Sequence, residues 1–104
     1  MITDISSINE FNDIINKNQS EKLLIDFYAS WCKPCKKLST ILSECNDKYT
    51  NFTYISVDTD KFEELTDEFD ILKLPTVIIY YKNNKYTISG FKPDDIIELL
   101  DTYN

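Results

Sequence analysis

Hydrophobic positions change their period several times along the chain. Ile2 to Ile5 alternates apolar and polar residues, the two-residue period of a short strand. Ser7 followed by Glu10 has capping-box spacing, and Ile8, Phe11, Ile14 and Ile15 then recur on one face of a helix. Leu23 to Ala29 is almost wholly apolar and rich in β-favouring residues, the pattern of a strand buried on both faces. Pro34 suits the first turn of a helix, where its missing N–H costs nothing. Leu38, Ile41, Leu42, Cys45 and Tyr49 form an apolar stripe that carries this helix to about residue 49.

Phe52 to Asp58 alternates again as a strand, and Asp60 with Glu63 predicts a further helix start that turns Phe62, Leu65 and Phe69 inward. Pro75 opens the β-prone run Thr76 to Tyr81. Asn83-Asn84 reads as a hairpin turn before a strand from Tyr86 to Phe91, because asparagine tolerates positive φ. Pro93 begins a last helix with Asp94 and Asp95 at its positive end. The order βαβαβαββα predicts an α/β fold: a mixed central sheet with helices on both faces, parallel through its crossovers and antiparallel at the hairpin.

A chain of 104 residues fits one domain over residues 1–104. It contains no histidine, which removes Ser-His-Asp and Cys-His nucleophile systems and histidine-based zinc sites together. It contains one glycine, so glycine-rich dinucleotide and phosphate loops are excluded as well. The formal charge is −7, and all 11 cations are lysine. Without arginine for bidentate phosphate or guanine contacts, nucleic acid is not an expected partner. No apolar run is long enough to span a bilayer, so no membrane role is expected. The opening residues show neither a basic n-region nor an apolar h-region, and three cysteines without a signal point to a reducing, cytoplasmic setting.

The chemistry concentrates at Cys32 and Cys35, two residues apart at a strand-to-helix junction. A thiolate in the first helical turn faces unpaired backbone N–H groups and the positive end of the helix dipole, which lowers its pKa. One turn of helix brings Cys35 beneath it, close enough for a small disulfide ring. Zinc is the competing reading, but one CxxC, a distant Cys45 and no histidine make a poor ligand set. A coincidental CxxC is the other. Asp26 stands as a lone acid in Leu23-Leu24-Ile25-Asp26-Phe27, where desolvation should raise its pKa. Cys45, on the apolar stripe, reads as a core thiol.

Leu24 to Lys36, with Trp31-Cys32-Lys33-Pro34-Cys35 at its centre, resembles the active-site signature of the thioredoxin family. Leu74-Pro75-Thr76 is similar to that family's second signature, and Gly90 falls at its late glycine. The resemblance covers essentially the whole chain. It implies a thioredoxin fold and a protein-disulfide reductase in which Cys32 is the exposed nucleophile and Cys35 the resolving thiol. Asp26 would accept the proton of Cys35 through water. Pro75 would be the family's cis-proline, and Trp31, Leu74, Pro75 and Gly90 would line the substrate groove. It further implies no bound cofactor, electrons from NADPH through thioredoxin reductase, disulfide-containing substrate proteins as partners, and a monomer.

Several positions depart from the family pattern. Lys33 replaces a glycine between Cys32 and Pro34, placing a cation beside the thiolate where, with Pro34, it tunes the redox chemistry. Lys33, Lys36 and Lys37 form either a partner-selecting basic patch or a solvated lysine face, since no acid occurs between Asp26 and Glu44. Thr40 replaces a helix-kinking proline, Asn84 a hairpin glycine, and Tyr54 a lysine near the buried acid. Two other functions remain open at this level: a disulfide oxidase or isomerase, although those relatives usually carry histidine before the second cysteine, and a non-catalytic binding subunit on the same fold.

Overall fold

The structure, a computed structural model, describes residues 2–18 and 21–104. Five strands and four helices follow the expected order: β1 (Thr3–Asp4), α1 (Ile8–Asn18), β2 (Lys22–Tyr28), α2 (Lys33–Lys48), β3 (Thr53–Asp58), α3 (Glu63–Glu68), β4 (Thr76–Tyr81), β5 (Asn84–Ser89) and α4 (Pro93–Tyr103). They form one sheet in the order β1-β3-β2-β4-β5. β3 lies parallel to both β1 and β2, whereas β4 runs antiparallel to β2 and β5. No helix among the described residues is long and apolar enough to cross a membrane.

β2 is the central strand, and its two faces separate two cores. Leu23, Ile25 and Phe27 pack with Phe11 of α1 and Leu65 of α3. Leu24 faces the other way, into Leu38, Leu42 and Cys45 of α2 and Ile96 and Leu100 of α4. A strand covered on both faces needs apolar residues at successive positions, which is why its hydrophobic run is unbroken. Asp26 is the exception. Its neighbours in the pairing register are Ser56 on β3 and Val77 on β4.

Three local expectations change. The helix after Asp60 begins at Glu63, and its N-cap, Phe62, receives no side-chain cap. The turn before it is closed by Asp58, whose Oδ1 accepts from the Asp60 and Lys61 amides at 3.0 and 3.4 Å. The hairpin turn lies one residue earlier than the asparagine pair suggests. Tyr81 pairs with Asn84, so Lys82 and Asn83 are the central residues, at φ 49° and 70°. Two successive positive φ values match the twist of the flanking strands, and that demand overrides the local reluctance of lysine. At the first helix, Glu10 N donates to Ser7 Oγ at 3.1 Å, but the Glu10 carboxylate accepts from the amide of Ser6 rather than of Ser7.

α2 runs unbroken for 16 residues, with Thr40 within it. Tyr54 secures its C-terminal end: the buried phenol donates towards the carbonyls of Tyr49 and Cys45, at 2.9 and 3.2 Å. The Tyr54 hydroxyl is thus committed to the helix end, not to the buried acid. Tyr54→Phe should lower unfolding free energy by about 1–2 kcal/mol, because a buried carbonyl loses its donor. Urea denaturation of the oxidised protein measures it.

Candidate active site

β2 ends at Tyr28, and three residues of turn lead into α2. Cys32 is the N-cap, in extended conformation at φ −86° and ψ 109°, with Pro34 in the first turn. Its Sγ accepts from the Cys35 amide at 3.2 Å, so an otherwise unpaired helix-start N–H points at the sulfur. Cys32 and Cys35 are joined as a disulfide, their Cα atoms 5.2 Å apart. The chain supplies no acid in the first turn of α2. The positive end of the dipole is therefore left to the sulfur.

Neither cysteine stands out into solvent: Cys32 is 5% and Cys35 2% exposed. The expectation of an exposed Cys32 is corrected on this point, because Ala29, Tyr28 and Leu74 pack around the pair. The two sulfurs nonetheless differ in what they border. Cys32 borders a shallow groove of about 490 Å³ together with Trp31, Lys33, Pro34, Leu72 and Leu74. Cys35 borders a separate cleft of about 760 Å³, shared with Asp26, Asp4, Tyr28 and Ser56.

Of the residues expected at the groove, Trp31 is 68% exposed and its Nε1 donates to Asp60 Oδ2 at 2.8 Å. Leu74 is half-buried and lines the groove. Pro75 follows a cis peptide bond and is buried behind Leu74. Its carbonyl accepts from the Gly90 amide at 2.8 Å. Gly90 is itself buried at φ +92°, a backbone conformation that favours glycine, whereas a Cβ there would meet only the movable end of Lys73 at 3.3 Å. Trp31 and Leu74 therefore line the groove as expected, whereas Pro75 and Gly90 are buried and do not line it. Lys33, Lys36 and Lys37 are exposed, and Lys36 shares its cleft with Asp4 and Asp47.

Asp26 is buried, and its Oδ1 has no hydrogen-bond partner among the described residues. Burial first, and then the neighbouring Asp4 carboxylate, raise its pKa to about 7. Asp4, Tyr28 and Ser56 were not legible as site residues. Tyr28 Oη and Ser56 Oγ each donate to Asp4 Oδ1 at 2.9 Å. The only local signal for Asp4 is its place in the alternating Ile2–Ile5 segment, and nothing local points to Asp60. Cys45 is buried in the α2–α4 core and unpaired, and burial raises its pKa. Among the described residues, no three His, Cys, Asp or Glu side chains cluster as a metal site.

A reversible disulfide at a helix mouth, on a mixed sheet of this topology, defines a thiol-disulfide oxidoreductase. A family model described as thioredoxin matches residues 3–102. Thioredoxin 1 of Plasmodium falciparum (isolate 3D7) is 33% identical over 104 residues, spanning 99% of this chain and 98% of that protein. Thioredoxin of Mycoplasmoides gallisepticum is 36% identical over 99 residues, spanning 92% of this chain and 96% of that protein. The solution structure of the oxidised thioredoxin from Plasmodium falciparum superposes with a TM-score of 0.86 at 31% identity, covering 99% of this chain and 98% of that one. The chain belongs to the thioredoxin family, and it reduces protein disulfides.

The raised pKa of Asp26 carries a stability consequence with a definite sign. Below about pH 3 the carboxyl is protonated in both folded and unfolded chains, and the fold keeps its full stability. As pH rises towards 7, the unfolded chain ionises first, so stability falls and the whole loss is present above pH 7. Asp26→Asn should therefore stabilise the oxidised protein by about 3–4 kcal/mol at pH 8.5 and by almost nothing at pH 3.5. Guanidinium unfolding at the two pH values measures the difference; equal gains at both would contradict the sign.

Proposed function

We propose that this reductase receives its electrons from NADPH through thioredoxin reductase and passes them, as a cytoplasmic monomer, to disulfide-containing substrate proteins. The Cys32 thiolate attacks one sulfur of a substrate disulfide; the Cys32–substrate bond forms, the substrate S–S bond breaks, and the departing thiolate takes up a proton. Cys35 then gives its proton to the Asp26 carboxylate through water and attacks Cys32 Sγ. The Cys32–Cys35 bond forms, the mixed disulfide breaks, and the second substrate thiolate is protonated. The substrate has gained two electrons and two protons, and the protein is left oxidised. Thioredoxin reductase returns two electrons to the pair.

The observation that carries this reading is the asymmetry around the disulfide. Cys32 meets the groove with the exposed Trp31, whereas Cys35 meets the cleft that holds the buried acid. That arrangement supports attack from outside and proton removal from behind. Trp31 and Leu74 are assigned to an extended substrate segment, Pro75 with its bond to Gly90 to positioning Leu74, and Lys33 and Pro34 to setting the potential of the pair. A reducing compartment fits a chain whose third cysteine is buried and unpaired. The absence of histidine between the two active cysteines favours reduction over oxidation or isomerisation.

Cys32→Ser should bring turnover of a disulfide-bonded protein, supplied with NADPH and thioredoxin reductase, down to the uncatalysed background. Cys35→Ser should instead complete the first step and stop, accumulating a covalent adduct visible by mass spectrometry. Substrate reduction undiminished in Cys32→Ser would overturn Cys32 as the nucleophile, whereas parent turnover no faster than background would favour the binding-subunit reading. Asp26→Asn should slow release of the reduced substrate at pH 7 by at least roughly tenfold, measured by stopped-flow decay of the mixed disulfide.

A further inference from the structure

β1 is only two residues long, yet it places a carboxylate beside the proton-transfer side of the disulfide. Asp4 pairs in register with Ser56 of β3, and Ser56 pairs in register with Asp26 of β2. In-register residues on neighbouring strands share a face, so Asp4, Ser56 and Asp26 form one row, and the two acids are separated by two strand spacings, about 10 Å at the backbone. Their side chains meet the same cleft that Cys35 borders.

The orientation of Asp4 is fixed from both sides. Oδ1 accepts from Tyr28 Oη and from Ser56 Oγ, each at 2.9 Å. Tyr28 in turn packs against Ala29, Cys32 and Cys35, which ties Asp4 to the wall of the cysteine pair. Asp26 has no hydrogen-bond donor for Oδ1 among the described residues. Its ionised form is therefore answered chiefly by burial and by whatever charge shares its cleft.

The other groups facing Asp26 are few. From α2, Cys35, Lys36 and Asp47 border the cleft, the last two of opposite sign. From β2 comes Tyr28, whose phenol is held protonated by burial and by its bond to Asp4. From β3 come Ser56; Tyr54, beside Leu24, whose hydroxyl is spent on the end of α2; and the acid Asp58, beside Tyr28, whose Oδ1 accepts from the Asp60 and Lys61 amides. β4 offers Val77 in register, and α4 contributes the apolar Ile96 and Leu100 to that side of the sheet. Of these acids, Asp4 is the one that lies in the same in-register row as Asp26 as well as in its cleft, and its charge raises the Asp26 pKa.

We propose that Asp4 is a positioning residue for the redox reaction: its carboxylate, pinned by Tyr28 and Ser56, governs the ionisation of Asp26 and through it the proton transfer from Cys35. The second half rests on the proton-acceptor role assigned to Asp26 above. A negative charge at Asp4 keeps Asp26 protonated to higher pH, so the base becomes available later on an alkaline titration and is stronger once it forms.

Asp4→Asn isolates the charge, because the side-chain carbonyl still accepts from Tyr28 and Ser56 and the fold keeps both bonds. The Asp26 titration is read directly in the oxidised protein by carboxyl ¹³C NMR with labelled aspartate. The midpoint should move to lower pH by roughly half a unit in Asp4→Asn, and should return to the parent value in Asp4→Glu, which restores the charge. The acid limb of the mixed-disulfide decay rate should move with it. An unmoved Asp26 midpoint in folded Asp4→Asn would overturn the proposal, and Asp4 would then be a strand fastener only. A moved midpoint with a fixed acid limb would uphold control of Asp26 by Asp4 but overturn Asp26 as the proton acceptor.

Discussion

The site depends on one junction: the place where β2 stops and α2 starts. A strand buried on both faces cannot bend away gradually, so the chain leaves the sheet at Tyr28 and re-enters as a helix with Cys32 as its N-cap. The amides at that helix mouth have no carbonyls of their own turn to meet. A sulfur placed there takes one of them, that of Cys35. The sheet's two cores hold the strand from both sides, and α2 is held by Leu38, Leu42 and Cys45 against the second core. The redox chemistry is therefore anchored by packing rather than by polar contacts around the cysteines, which are few.

The same rigidity explains why an unpaired acid is tolerated. Asp26 interrupts an otherwise apolar strand, and its burial works against the fold at neutral pH. A fold seeking stability alone would place an amide or an apolar residue there. Retaining the carboxyl costs stability but puts an ionisable group on the Cys35 side of the disulfide with a pKa near the working range. Under the proton-acceptor role proposed above, the trade is between structural comfort and proton chemistry, localised to one side chain.

Much of this was legible in the sequence because it is expressed locally. The uninterrupted apolar run marks β2, the i, i+3, i+4 stripe marks α2, and the lone acid in an apolar context marks Asp26. What escaped is what only the sheet brings together. Asp4 meets Ser56, 52 residues later, solely because β1 lies beside β3. Asp60 looks like a helix cap from its spacing to Glu63, but the fold uses its carboxylate for the indole of Trp31. The asparagine pair at 83 and 84 signals a turn correctly in kind but not in position, since the pairing of Tyr81 with Asn84 fixes which two residues must take positive φ. Tyr54 looked like a substitute for a lysine beside the acid, and its hydroxyl instead closes a helix.

The disulfide divides two surfaces that have nothing else in common. On one side lie Trp31, Leu72 and the lysine of the active motif; on the other lie Asp26, Asp4 and the hydroxyls around them. Under the function proposed above, partner choice and acid–base behaviour fall on different residues, so a substitution on one side leaves the other lining intact.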